Sequence, residues 1–160
     1  MANEQSLKQL IKDGLAAMKT GSEMAAKATD AINNAAKDQK LKEALKKGNE
    51  TSKKWSERIE KGLQEVGTGG QKDNPIIEGI GKVNQNILSS APDDYSRDLG
   101  IIAGGQLAIH YWIAAFGTMA SYTGQAGMNE TQKAMKTCAD EAKEADEEHT
   151  KIAKEIMGKA

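Results

Sequence analysis

The chain has 160 residues, with 22 basic and 23 acidic side chains and a formal net charge of −1, so net charge gives no pull toward nucleic acid or an anionic membrane. A single cysteine, Cys138, excludes an intramolecular disulfide and a thiolate-rich metal site. With 2 prolines, no alternating β-branched runs and long stretches of Ala, Lys, Glu, Gln and Met, the composition predicts an all-α fold in one domain over residues 1–160.

The first predicted helix covers residues 5–36. Leu7, Ile11, Leu15, Met18, Ser22, Ala25, Ile32 and Ala36 recur at three- and four-residue steps on one face. Ser6 and Gln9 have the spacing of a capping box at its start. A second helix follows the polar connection at Asp38 and Gln39. Its face reads Leu41, Leu45, Gly48, Ser52, Trp55, Ile59, Leu63 and Val66, and the glycines at 67–70 stop it.

Asn74-Pro75 then marks an N-cap and a first helical turn. A shorter amphipathic segment carries Ile76, Ile77, Ile80, Val83, Ile87 and Leu88, and Ser90, Pro92 and Asp93 end it. The third long helix is predicted over 94–122 and the fourth over 129–157, the latter with Asn129 and Gln132 as a capping pair. Two antiparallel pairs joined by a connection of roughly 25 residues fit a ferritin-like four-helix bundle, with one long crossover containing a short additional helix.

The third long helix is apolar on more than one face, through Ile101, Ile102, Leu107, Ile109, Tyr111, Trp112, Ile113 and Phe116. It needs cover on several sides, from the crossover or from a dimer partner. Its longest apolar stretch is broken by Gly104, Gly105, Gln106 and His110, as in a buried helix rather than a membrane span. The opening MANEQSLKQLIKDG has no continuous apolar h-region, so a cytoplasmic protein is expected.

The run SRDLGIIAGGQLAIHYWIAAFGTMASYTGQ resembles the signature third helix of the YciE/YciF family, a bacterial ferritin-like group. Arg97, Asp98, Gly100, Gln106, His110, Tyr111, Ala114, Ala115, Gly117 and Thr118 carry the likeness. Weaker echoes run through LKEALKKGNETSKKWSERIEKGLQEVG, PIIEGI and DEAKEADEEHTKIA, so the resemblance spans nearly the whole chain.

Ferritin-like sites gather carboxylates and histidines from four helices around two metals. Carried onto this chain by the resemblance, the ligand positions fall on Met18 in the first helix and Thr51 and Trp55 in the second. They fall on Ile109 and Trp112 in the third helix, and on Ala142 in the fourth. Another family histidine falls on Gly48. None of these residues ionises. The resemblance therefore implies a di-metal site filled with apolar side chains, each such burial being worth roughly 1.5–3 kcal/mol.

The remaining polar candidates are weaker. His110 keeps the family identity but stands alone on its helix. Asp146 and His149, three residues apart, suggest a hydrogen-bonded pair, and two ligands do not complete a metal site. Glu50 and Glu141 adjoin the lost ligand positions. Cys138 reads as a small core residue without a basic activator in sequence.

The leading expectation is a non-enzymatic bundle without cofactor that acts through association, as a homodimer or with another protein. The resemblance adds a role near bacterial stress responses. One alternative is a ferritin-like oxidoreductase or metal store using a relocated site around Glu50, His110, Glu141 or Asp146. Another is a small-molecule cavity lined by Trp55, Trp112 and Tyr111.

Overall fold

The computed structural model describes residues 2–160, among which there are helices and no strand. In chain order they are α1 (Ala2–Ala35), α2 (Gln39–Val66), α3 (Pro75–Ser90), α4 (Asp94–Gln125) and α5 (Asn129–Met157). α1 packs on α2 and α4, α5 packs on α2 and α4, and α3 lies across α1 and α4. The long helices therefore form a ring in the order α1, α2, α5, α4, the ferritin-like arrangement, with every neighbouring pair antiparallel.

That ring requires a crossover. α1–α2 and α4–α5 are joined by turns at 36–38 and 126–128, too short for anything but hairpins. α4 nevertheless starts at the end of the bundle where α1 finishes. Asp98, in the second turn of α4, accepts hydrogen bonds from the backbone N–H groups of Lys37 (2.8 Å) and Asp38 (2.7 Å) in the α1–α2 turn. α2 and α4 thus run the same way, and the chain leaving α2 must climb back up the bundle. The 16 residues of α3 supply about 24 Å of that climb at 1.5 Å per residue.

The helix ends follow local chemistry. Asp38 caps α2 by accepting from the N–H groups of Lys40 and Leu41, and Gly67 ends that helix at φ +91°, a conformation that glycine adopts at little steric cost. Asn74 caps α3 through the N–H of Ile77, ahead of Pro75. Its side-chain amide also donates to Ala17 O (2.9 Å) and Tyr111 Oη (2.8 Å), tying α3 to α1 and α4.

Two predicted caps do not form. α1 already runs from Ala2, and Ser6 Oγ donates to Ala2 O inside it instead of capping. α5 has Met128 at its N-cap with no side-chain cap bond, which leaves Asn129 inside the first turn. α4 also extends three residues past the predicted 122, to Gln125.

The core divides into two clusters. The larger joins Ile11, Leu15, Met18, Trp55, Ile59, Trp112, Phe116, Met135, Cys138 and Ala142 along the body of the bundle. The smaller joins Leu41, Ile101, Ile102, Ile152 and Ile156 near the α1–α2 turn. α3 covers α4 closely at one level. A Cβ built on Gly104 would fall 1.8 Å from Asn84 Oδ1, so any larger residue there would have to displace the Asn84 side chain.

Candidate functional site

The middle of the bundle is where a ferritin-like fold places its metals, and here four aromatic rings meet. Trp55 of α2 lies 6.0 Å from Trp112 and 5.1 Å from Phe116, centroid to centroid. Trp112 and Phe116 stack at 5.2 Å with planes 24° apart, and Tyr111 meets Trp112 edge-on at 5.0 Å. Ring pairs of this kind add about 0.5–1.5 kcal/mol beyond the burial of their area.

Five of the positions assigned to ligands by resemblance lie in or against the core around these rings. Met18, Trp55, Trp112 and Ala142 are buried, Ile109 packs against them, and Thr51 is half-buried on α2. Gly48 is half-buried with open space beside it. No group of three or more His, Cys, Asp or Glu side chains placed to hold a metal occurs among the described residues.

At the α2–α5 edge of the aromatic cluster sits a feature that sequence reasoning missed. Arg58 grips Glu141 with both guanidinium nitrogens, at 2.7 and 3.3 Å, and Trp55 Nε1 donates to Glu141 Oε2 at 2.7 Å. All three lie within reach because Trp55 and Arg58 are three residues apart on α2, on adjoining positions of one face. The cation beside Glu141 is a guanidinium. Its two N–H bonds and the indole bond engage both carboxylate oxygens of Glu141.

Arg58 Nη1 also lies 3.6 Å from Cys138 Sγ, so the cysteine does have a basic neighbour, one that the sequence did not reveal. Burial outweighs it and pushes the thiol up to about 11. The group is held as the inert thiol at neutral pH.

The other candidates scatter. Glu50 is exposed on α2. The expected Asp146–His149 pair does not form, because α5 turns the two side chains to different partners. His149 Nδ1 bonds Ala145 O at 2.7 Å inside its own helix. Asp146 instead faces α4, where its carboxylate meets His110 Nε2 at 3.0 Å and Gln106 Nε2 at 3.1 Å. Gln106 also donates to Thr150 Oγ1 at 2.9 Å. This is a cross-helix polar clamp, with His110 largely exposed.

The expected cavity lined by Trp55, Trp112 and Tyr111 is likewise replaced by rings packed on one another. Two hollows lie elsewhere and open to solvent. One runs between α4 and α5 past Gly117, Ser121, Lys136 and Lys143, and the other beside Lys19, Glu60 and Gly69.

Comparison with known proteins follows from this geometry. Residues 6–160 match the family described as domain of unknown function DUF892. Over 77 residues, 48% of this chain, the sequence is 31% identical to Protein YciF of Escherichia coli K12; that alignment spans 46% of the relative's length. The solved structure of the E. coli stress protein YciF superposes with a TM-score of 0.91 at 23% identity, covering 96% of this chain and 98% of the other. A structure described as YcfI, a putative structural protein from Rhodopseudomonas palustris, gives 0.85 at 23% identity over 90% and 92%. At that identity the structural likenesses speak to the fold.

Proposed function

Because the chain belongs to the DUF892 family of YciF-like bacterial proteins, we propose that it is a non-catalytic ferritin-like bundle acting through protein association in a bacterial stress response, its di-metal site replaced by apolar packing. One observation carries the reading. The centre of the bundle, where the resemblance implies metal ligands, is filled by Met18, Trp55, Trp112 and Ala142 packed around Phe116. Relatives named as a stress protein and a putative structural protein support a role without catalysis. Rebuilding a carboxylate cage at this centre would require burying several charges, each costing several kcal/mol unless compensated.

The test has two arms on the full chain, purified without chelator. Elemental analysis is expected to find iron, manganese and zinc far below one equivalent, and light scattering is expected to give a mass above that of one chain. Near-stoichiometric iron or manganese would overturn the metal-free part. A strict monomer without captured partner would overturn the association part.

A further inference from the structure

Of the four rings at the centre of the bundle, three are oxidisable, and one of those has a proton acceptor fixed beside it. Tyr111, Trp112 and Trp55 follow one another in contact, at 5.0 and 6.0 Å between centroids. Phe116, a ring that does not readily give up an electron, packs against both indoles at 5.2 and 5.1 Å. The series leads from a half-buried ring on α4 to a buried one on α2. Electron exchange falls off steeply with distance, and rings in van der Waals contact exchange electrons faster than most radicals decay.

The two indoles differ in one respect. Trp55 Nε1 donates to Glu141 Oε2 at 2.7 Å, and Arg58 fixes that carboxylate with two further bonds. Trp112 Nε1 has no acceptor among the described residues, and Tyr111 Oη meets the amide Nδ2 of Asn74, a donor. An indole that loses an electron becomes a radical cation, a much stronger acid than the indole itself. It settles as the neutral radical once the Nε1 proton has left. Glu141 already holds that proton in a hydrogen bond, at a distance suited to its transfer.

We propose that the aromatic centre is a one-electron sink, in which an oxidising radical draws an electron from Trp55 through Trp112 and Tyr111 while the Trp55 Nε1 proton passes to Glu141. The oxidant gains one electron, Trp55 becomes a neutral radical and Glu141 a carboxylic acid, and Tyr111 and Trp112 end unchanged. A small reductant restores the pair by returning the electron as Glu141 returns the proton. Met18, Phe116 and Ala142, packed in the same core as Trp55, shield the radical from water. Such a sink works within one chain and is independent of the association proposed above.

Pulse radiolysis of the full chain in azide solution, with the azidyl radical as oxidant, tests this by transient absorption. Neutral tryptophanyl, its radical cation and tyrosyl have separate spectra. The chain has 2 tryptophans, so each can be removed in turn. The native protein is expected to yield neutral tryptophanyl, and Trp55→Phe to lose it although Trp112 remains. Glu141→Gln keeps an oxygen for the indole N–H but takes no proton; there the neutral radical should form roughly a hundredfold more slowly, behind the radical cation. Trp112→Phe should lower the yield at Trp55 by interrupting the path from Tyr111. Circular dichroism melting checks that each variant is folded, and Glu141→Gln, which changes little volume, still decides the matter if an indole variant does not fold. Native yield in Trp55→Phe overturns Trp55 as the resting place of the hole. An unchanged rate in Glu141→Gln overturns the proton transfer, and native yield in Trp112→Phe overturns the path.

Discussion

Glu141 joins three side chains at the edge of the aromatic centre, and removing it separates their contributions. Replacing it with leucine breaks the paired bonds from Arg58 and the bond from Trp55 Nε1. The Arg58–Glu141 pair is about a quarter exposed on each side, at 25% and 29%. Solvent screening therefore limits its worth to about 1 kcal/mol despite the two-bond geometry. The indole differs, because Trp55 is 6% exposed and its N–H is left without an acceptor. A stranded buried donor costs about 1–3 kcal/mol. Glu141→Leu should thus cost about 3 kcal/mol, whereas Arg58→Leu, which leaves the indole bond intact, should cost about 1 kcal/mol. For a chain of this size these losses correspond to roughly 6–12 °C and 2–4 °C in Tm. Trp55→Phe in the Glu141→Leu background should recover most of the difference, since no N–H then remains to strand. Urea and thermal midpoints of the four proteins measure this. Equal costs for Glu141→Leu and Arg58→Leu, or no recovery from Trp55→Phe, would refute the reasoning.

Three further outcomes are expected. Asp98→Ala strands the N–H groups of Lys37 and Asp38 and should cost about 3 kcal/mol, with hydrogen exchange accelerating first at those two amides; protection unchanged there would count against the Asp98 anchor. The Asp38 carboxyl is held below its ordinary value of 3.8, chiefly by the hydrogen bond from Lys159 and with help from the Leu41 and Lys40 amides against a burial penalty. Its contribution is therefore present above pH 4 and lost as pH falls through the lowered value, so the roughly 1 kcal/mol cost of Asp38→Ala at pH 7 should shrink progressively in urea titrations taken below pH 4. Cys138, fully buried and pushed up to about 11, should react with an aromatic disulfide reagent at pH 8 only as fast as the chain opens; rapid stoichiometric labelling of native protein would contradict that.

Much of the fold is legible in the sequence because helix periodicity is a local property. Each long helix announces its buried face within about two turns, and Asn74 caps where its side-chain type suggests. The failures at Ser6 and Asn129 have one cause. A cap depends on the direction from which the chain enters the helix, and in α1 and α5 the helix begins earlier than the polar residue suggests. The connections that matter most lie between distant residues: Lys37 to Asp98 is 61 residues, Arg58 to Glu141 is 83 and Trp55 to Glu141 is 86. Nothing local marks Arg58 among the many basic residues of α2, and nothing local turns Asp146 toward His110 rather than His149. The aromatic centre falls between these extremes. Its members are visible as core residues in the pattern, but their meeting depends on the ring order of the helices.

The anchors that fix this ring order stand apart from its middle. Asp98 binds α4 to the α1–α2 turn, Asn74 binds α3 to α1 and α4, and the α3 crossover sets which helices run parallel. None of these contacts involves Met18, Trp55, Trp112 or Ala142. The bundle's topology is therefore specified around its centre rather than by it. Glu141 is the charge at the rim of that centre, and a guanidinium from the facing helix meets it with two hydrogen bonds. A carboxylate at the rim and hydrophobic volume within are compatible because the cation beside the carboxylate is supplied by the chain itself.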